Sequence, residues 1–354
     1  VDKMGKTVIF PFTLENSSFC QAYLDQDDAC VLASLSGTGT IDQSIGKALN
    51  RLDGTGRIVD IHSIDLREVD KIILLESKNS ELYEHIDELL VKWNAYQIEV
   101  ISFSDKCREF MPMAVLQCRD FHVTDSYHYV FIDKPIIFVG GIKETSEIAW
   151  LSYQIKKRFE KRKLKSIVIS RYGYSIDQEC YPYPDEFVSD RISAEYKVLL
   201  LNQYLQFLIR KHEPDVILIE VIGGPLRFDY HVFNYFGVYY YITSQAVSAD
   251  LFLCTLPIGE YDDAYFMKLN DYIRHKFDLT IDAACLMNIK FEDSLSVTIE
   301  NDDEYYYVSD SILQRYLEKN RQVRVVPFGA CTDESYLDAV FAAILKKLEG
   351  AEDE

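Results

Sequence analysis

The sequence predicts an α/β protein built from two doubly wound, mainly parallel-sheet domains, the second like a P-loop NTPase with a degenerate Walker A turn. Three observations lead there. Short apolar runs alternate with longer amphipathic segments from end to end, the pattern of parallel strands returned by crossover helices. The chain has 354 residues, which suits two cores at roughly 100 to 200 residues per domain. The alternation lapses over 104–133, a connector with one expected helix, and then restarts. This predicts a small Rossmann-like domain over 1–130, a P-loop-like domain over 131–350 and an acidic tail over 351–354.

In the first domain the apolar runs Thr7 to Phe12, Ala29 to Leu35, Lys71 to Glu76 and Ile98 to Phe103 are expected strands. Ser18 to Leu24 is a short helix. Ser80 to Tyr96 is a longer one, because Leu82, Ile86, Leu89, Leu90 and Trp93 recur at helical spacing. Ser36-Gly37-Thr38-Gly39-Thr40 reads as a turn; Gly46 follows Gly39 too late for a dinucleotide fingerprint.

Asp133-Lys134-Pro135 opens the second domain in extended form, since the residue before proline avoids helix. Ile136 to Val139 is a strand, Gly140 and Gly141 turn the chain, and a helix follows from about Thr145. Its inward stripe is Ile148, Leu151, Ile155 and Phe159. Strand Ser166 to Ser170 leads to a loop through Tyr181-Pro182-Tyr183-Pro184. Helix Ser193 to His212 then feeds Asp215 to Val221, the strongest strand pattern in the chain. Asp250 to Leu256, Ala283 to Asn288 and Val323 to Pro327 are the later strands, and helix Glu334 to Glu349 closes the fold.

Lys and Arg total 37 against 57 Asp and Glu, a net charge of −20. Such a field repels phosphate backbones, so neither nucleic acid nor an anionic membrane is an expected partner. No C-x-x-C pair occurs among Cys20, Cys30, Cys107, Cys118, Cys180, Cys254, Cys285 and Cys331, which read as reduced, packed thiols with Cys180 the most accessible. The histidines form no close ligand pair, so no metal site is expected. No signal peptide opens the sequence, and no apolar run approaches the roughly 18 to 20 residues of a membrane span. A cytoplasmic location is expected.

The strand, glycine turn and helix over 136–160 have the shape of a phosphate-binding loop. A hydrolytic loop reads G-x-x-x-x-G-K-[ST]. Counted from Gly140, the second glycine, the lysine and the hydroxyl positions hold Thr145, Ser146 and Glu147. Glu147 thus puts a carboxylate into the set that should hold phosphate, and Lys143 is the one cation inside the turn. Two readings stay open: a tight structural turn capped by Thr145, or a small-anion or nucleotide site using Gly140, Gly141, Lys143, Thr145 and Ser146. The strand ending at Glu220 is followed by Gly223 and Gly224. That acid reaches a metal or its water in one reading, and in the other caps a helix or pairs with Arg227. Glu220 is the candidate catalytic residue, Gly223 and Gly224 join the ligand set, and a nucleotide with magnesium is the cofactor such a site would take.

Two further features suit partners. Aromatic residues crowd the stretch containing Tyr230, Phe233 and Tyr235, as in a core layer or a binding surface. Lys156, Lys157, Arg158, Lys161, Arg162, Lys163 and Lys165 reverse the local charge. They read either as a solvated helix end or as a docking patch for an acidic partner, led by Arg158, Lys161 and Arg162.

The glycine turn and the Glu220 strand resemble the P-loop-like proteins of the dethiobiotin-synthetase type. A wider set of segments is similar to the peptide-maturation-system family of bacterial ribosomal-peptide natural-product clusters. It comprises Val8-Ile9-Phe10-Pro11-Phe12, Phe138-Val139-Gly140-Gly141 through Glu144-Thr145, Pro214-Asp215-Val216-Ile217 to Gly223-Gly224-Pro225, and Ser244-Gln245-Ala246 before Ala249-Asp250. That resemblance implies an accessory role in modifying a ribosomally made precursor. Its expected partners are the precursor peptide, a radical S-adenosylmethionine enzyme or an acyl-carrier-like protein. The other readings kept are a nucleotide- or phospholigand-dependent enzyme of ligase or transferase type, and a homo-oligomer joined through the tyrosine-rich surface.

Overall fold

The computed structural model describes residues 5–13, 16–24, 29–49, 56–77, 80–83, 85–123, 128–171, 179–226, 237–291 and 305–350. They fall into two compact units that divide between Cys118 and Arg119. In the first unit β1 (Lys6–Phe10), β2 (Cys30–Ser34), β3 (Val59–Asp60), β4 (Val69–Leu74) and β5 (Glu99–Ser102) pair in parallel in the order β3-β2-β1-β4-β5. The first four helices are α1 (Ser17–Leu24), α2 (Ile45–Ala48), α3 (Ile86–Ala95) and α4 (Met113–Arg119).

Successive strand residues point to opposite faces, and each face has its own core. Ile9, Leu32 and Ile73 pack with Phe19 and Cys20 on one side. Val8, Phe10, Ile72 and Leu74 pack with Leu82, Ile86, Leu89 and Trp93 on the other. Burial on both faces explains the unbroken apolar runs. The helix expected over 80–96 is a separate 3-10 turn, Ser80–Tyr83, followed by α3. β3 was not expected, because two half-buried residues leave no apolar run. Gly37 and Gly39 have φ of +96° and +74°, the left-handed turn that only glycine adopts freely.

The second unit holds β6 (Ile136–Gly141), β7 (Ser166–Ser170), β8 (Cys180–Pro182), β9 (Val216–Glu220), β10 (Leu251–Leu256), β11 (Ile281–Leu286), β12 (Ile289–Phe291), β13 (Tyr305–Tyr307) and β14 (Phe328–Ala330). Its helices are α5 (Ser146–Lys161), α6 (Asp185–Val188), α7 (Ala194–His212), α8 (Val238–Ala246), α9 (Asp263–Phe277), α10 (Asp310–Lys319) and α11 (Glu334–Gly350). Seven strands form one parallel sheet in the order β14-β11-β10-β6-β9-β7-β8, while β12 and β13 make an antiparallel pair. β6, the strand that enters the glycine turn, is central between β9 and β10.

The stripe Ile148, Leu151, Ile155 and Phe159 of α5 packs on Val139, Val168, Leu218 and Phe341. Burying such side chains contributes roughly 2 kcal/mol each. The strand expected over 323–327 begins instead at Phe328, after Pro327, which has no N–H for a ladder and offers only its carbonyl, to Ala284 N at 2.9 Å. β8 emerges from the stretch read as a tyrosine- and proline-rich loop. It is an edge strand, where proline is tolerated.

Candidate functional site

The carboxyl ends of the central strands are where parallel α/β sheets bind ligands. At the end of β6 a Cβ on Gly140 would overlap the Tyr240 hydroxyl and stand 2.9 Å from Tyr240 Cζ. A Cβ on Gly141 would stand 2.5 Å from the Lys143 carbonyl oxygen. Tyr240 Oη donates to Gly141 O at 3.1 Å, Thr255 Oγ1 to Gly140 O at 3.3 Å, and Ile142 N to Thr255 O at 3.2 Å. The two glycines therefore make room for α8, β10 and the turn itself. The corner is occupied by the protein's own side chains.

The head of α5 is likewise engaged. Thr145 sits at the N-cap with φ −147° and ψ 161°, but its hydroxyl donates to Met287 Sδ at 3.3 Å and caps no helix N–H. Ser146 is buried. Glu147 is 4% exposed and accepts from Tyr307 Oη at 2.9 Å. Burial pushes its carboxyl up to about 7, with the tyrosine hydrogen bond pulling the other way. Lys143 lies with Nζ 3.5 Å from the Phe291 ring centroid, a cation–π contact. Met287, Phe291 and Tyr307 all come from the β12–β13 region, so this hairpin covers the helix N-terminus.

Glu220 ends β9 opposite Val139 of β6, beside the corner as the sequence suggested. It is buried, and burial pushes its carboxyl up to about 7, while the Glu144 charge adds to the rise. Hydrogen bonding from Ser170 opposes the shift. Hydrogen bonding from Ser152, whose hydroxyl also lies 3.0 Å from Ile148 O, opposes it too. Tyr183 Oη donates to the Glu220 backbone carbonyl at 2.9 Å.

Glu144 is the hub of this edge. Arg171, the residue after β7, donates from Nη1 to both Glu144 carboxylate oxygens at 2.8 and 2.7 Å. Gly223 N donates to Glu144 Oε2 at 3.1 Å, from a φ of +73° that suits glycine. Gly224 is buried beside it. Thus Gly140, Gly141, Glu144, Glu220 and Gly223 converge, whereas Lys143 points to Phe291 and Thr145 to Met287.

Sequence reasoning missed Glu144, Arg171, Tyr240 and Tyr307 as members. Arg171 carried a usable signal, since it directly follows a strand at its carboxyl end. Tyr240 and Tyr307 stand in the aromatic runs 239–241 and 305–307, a signal that fits a core layer as well as a binding surface. Of the basic run, Lys156 and Arg158 are buried and paired, Lys156 with Glu160 and Glu179, Arg158 with Glu334 and Asp338. Lys161 and Arg162 are exposed. Tyr230, Phe233, Tyr235 and Arg227 lie outside the described residues. Cys180 is half-buried, and the other cysteines are buried.

A nucleotide with magnesium does not fit this edge. The described turn has Ser146 where the phosphate-holding lysine would stand and a buried glutamate at the hydroxyl position, its lysine is turned onto an aromatic ring, and Glu144 already holds Nη1 of Arg171. Among the described residues no group of three or more His, Cys, Asp or Glu could hold a metal, and no helix is long and apolar enough to cross a membrane.

No family model matches the chain, and no curated protein matches it. Among solved structures, a DUF1611 family protein from Anabaena variabilis is 9% identical and aligns over 96% of this chain and 99% of that chain, with a TM-score of 0.54. A plasmid partition protein from Borrelia burgdorferi, 14% identical, aligns over 61% of this chain and 100% of that one at a TM-score of 0.37. A nucleotide-binding protein from Archaeoglobus fulgidus in complex with ADP, 11% identical, aligns over 58% and 85% at 0.30. The last two superpose too loosely to define a shared fold. The first is a likeness of fold along nearly the whole of both chains, and of fold alone.

Proposed function

We propose that this protein is an accessory factor in maturation of a ribosomally made peptide, acting by binding through a P-loop-like unit that does not hydrolyse nucleotide. The observation that supports this most is Glu147, a buried carboxylate at the head of α5. A negative group there would repel a triphosphate, and in its protonated form it supplies no cation. The precursor peptide as ligand follows from the resemblance of the segments around Gly140, Asp215 and Ser244.

A thermal-shift series tests this reading, because a ligand that binds the folded state raises the melting temperature. ATP, GTP or ADP with magnesium is expected to leave the transition unmoved, while a ribosomally made precursor peptide raises it. A rise with magnesium nucleotide and none with peptide would reverse the assignment.

Glu220 favours one second reading. A carboxyl pushed up to about 7 at a strand end has the proton affinity of a general acid or base, which suits a phospholigand-dependent enzyme. Glu220→Gln separates the two. An accessory binder keeps its peptide affinity after this substitution, whereas an enzyme loses turnover.

A further inference from the structure

The crossover helices of a parallel sheet all point their C-termini at one edge, and cations gather there to complement the helix dipoles. In the second unit some of these cations have acidic partners. Arg274 at the end of α9 bonds Asp271 at 3.0 Å, and Lys347 near the end of α11 bonds Asp282 at 2.7 Å. One sector differs. Lys161, Arg162, Lys163 and Lys165 after α5, and Arg210 in the last turn of α7, are all exposed, and among the described residues none of them has an ion pair.

The end of α5 and the end of α7 meet at one sheet edge. Lys165 and Asp215 stand just before the neighbouring strands β7 and β9, whose ladder begins with Ser166 opposite Val216. Lys165 N donates to Asp215 Oδ2 at 2.7 Å, and Asp215 N donates to Lys165 O at 2.8 Å, which ties the two strand starts together. His212, the last residue of α7, is held below its ordinary range first by burial and then by the charges of Lys211 and Lys165. The two helix ends therefore share one field. Lys211 leans over the Phe207 ring at 5.4 Å, leaving Arg210 and the α5 cations turned to solvent.

We infer that this basic edge, Lys161, Arg162, Lys163, Lys165 and Arg210, is a docking surface for an acidic polypeptide partner. Dipole complementation accounts for cations at a helix end, but not for five exposed ones, without an ion pair among the described residues, gathered at two helix ends of a chain of net charge −20. Charge complementarity also chooses the occupant. A short acidic segment touches only the basic edge, whereas a long phosphate polymer or a membrane surface meets the acidic remainder and is repelled. The surface is independent of whatever the glycine turn binds.

The test uses the full chain and a fluorescein-labelled dodecaglutamate peptide, read by anisotropy at low salt. Wild type is expected to bind, and the combined Lys161→Glu, Arg162→Glu, Lys165→Glu and Arg210→Glu variant to bind about tenfold or more weakly. Arg274→Glu with Lys276→Glu, at another helix end on the same edge, should leave affinity unchanged. The corresponding four glutamine substitutions replace the reversal if it fails to fold. No binding by wild type, an equal loss in the α9 control, or equally tight binding of a thymidine dodecamer or of phosphatidylserine vesicles would each overturn the inference.

Discussion

At about pH 8, Glu147→Gln is expected to stabilise the protein by about 3 kcal/mol, and at about pH 4 to change its stability little. The carboxyl is pushed from 4.5 up to about 7 by burial in the second unit. The folded chain therefore holds a proton that the unfolded chain releases. Stability falls as pH rises from 4.5 through about 7, and the whole cost is present above that. Glutamine keeps an oxygen to accept from Tyr307 and carries no charge to desolvate, so its benefit grows over that same interval. Glu220 titrates in the same sense, and the wild-type slope should contain both groups. Urea unfolding of wild type and variant across this range measures the difference. Parallel stability curves would mean that Glu147 is solvated in the native protein.

Gly141→Ala should have the largest steric effect, a loss of about 3 kcal/mol in unfolding free energy. A methyl at that position overlaps Thr255 Oγ1 and comes within 2.5 Å of the Lys143 carbonyl, and that carbonyl is backbone and cannot rotate aside. Gly140→Ala is the informative contrast. Its obstacle is the Tyr240 side chain, so Tyr240→Phe should return part of the loss at residue 140 and none at residue 141. Denaturant melts of the single and double variants read this out. An unaltered midpoint for Gly141→Ala would show that the turn can open, and with it the space for a ligand.

Much of the architecture was legible because strands buried on both faces must be written in apolar residues. The runs at Val8, Ile72, Ile137, Ile217 and Leu253 all lie in strands. β3 and β8 escaped notice because edge strands of two and three residues need no apolar alternation. Of the candidate site, the convergence of the diglycine with Glu220 followed from the rule that ligands meet strand ends. Its interior did not. Whether a glycine leaves a hollow or admits a neighbour depends on a residue about a hundred positions away, here Tyr240, and no local pattern encodes that distance. Lys143 shows the same limit, since its ring partner Phe291 belongs to a hairpin with no apolar alternation to announce it.

The pairing of Arg171 with Glu144 turns binding at this edge into exchange. Its occupant is tethered to the same chain, so it competes at an effective concentration that a free metabolite in solution rarely matches. A visiting carboxylate or phosphate competes for the guanidinium with a neighbour that never diffuses away. Simple anions should therefore be poor guests here, and a large ligand that spends contacts elsewhere to pry the pair apart would be the selective one.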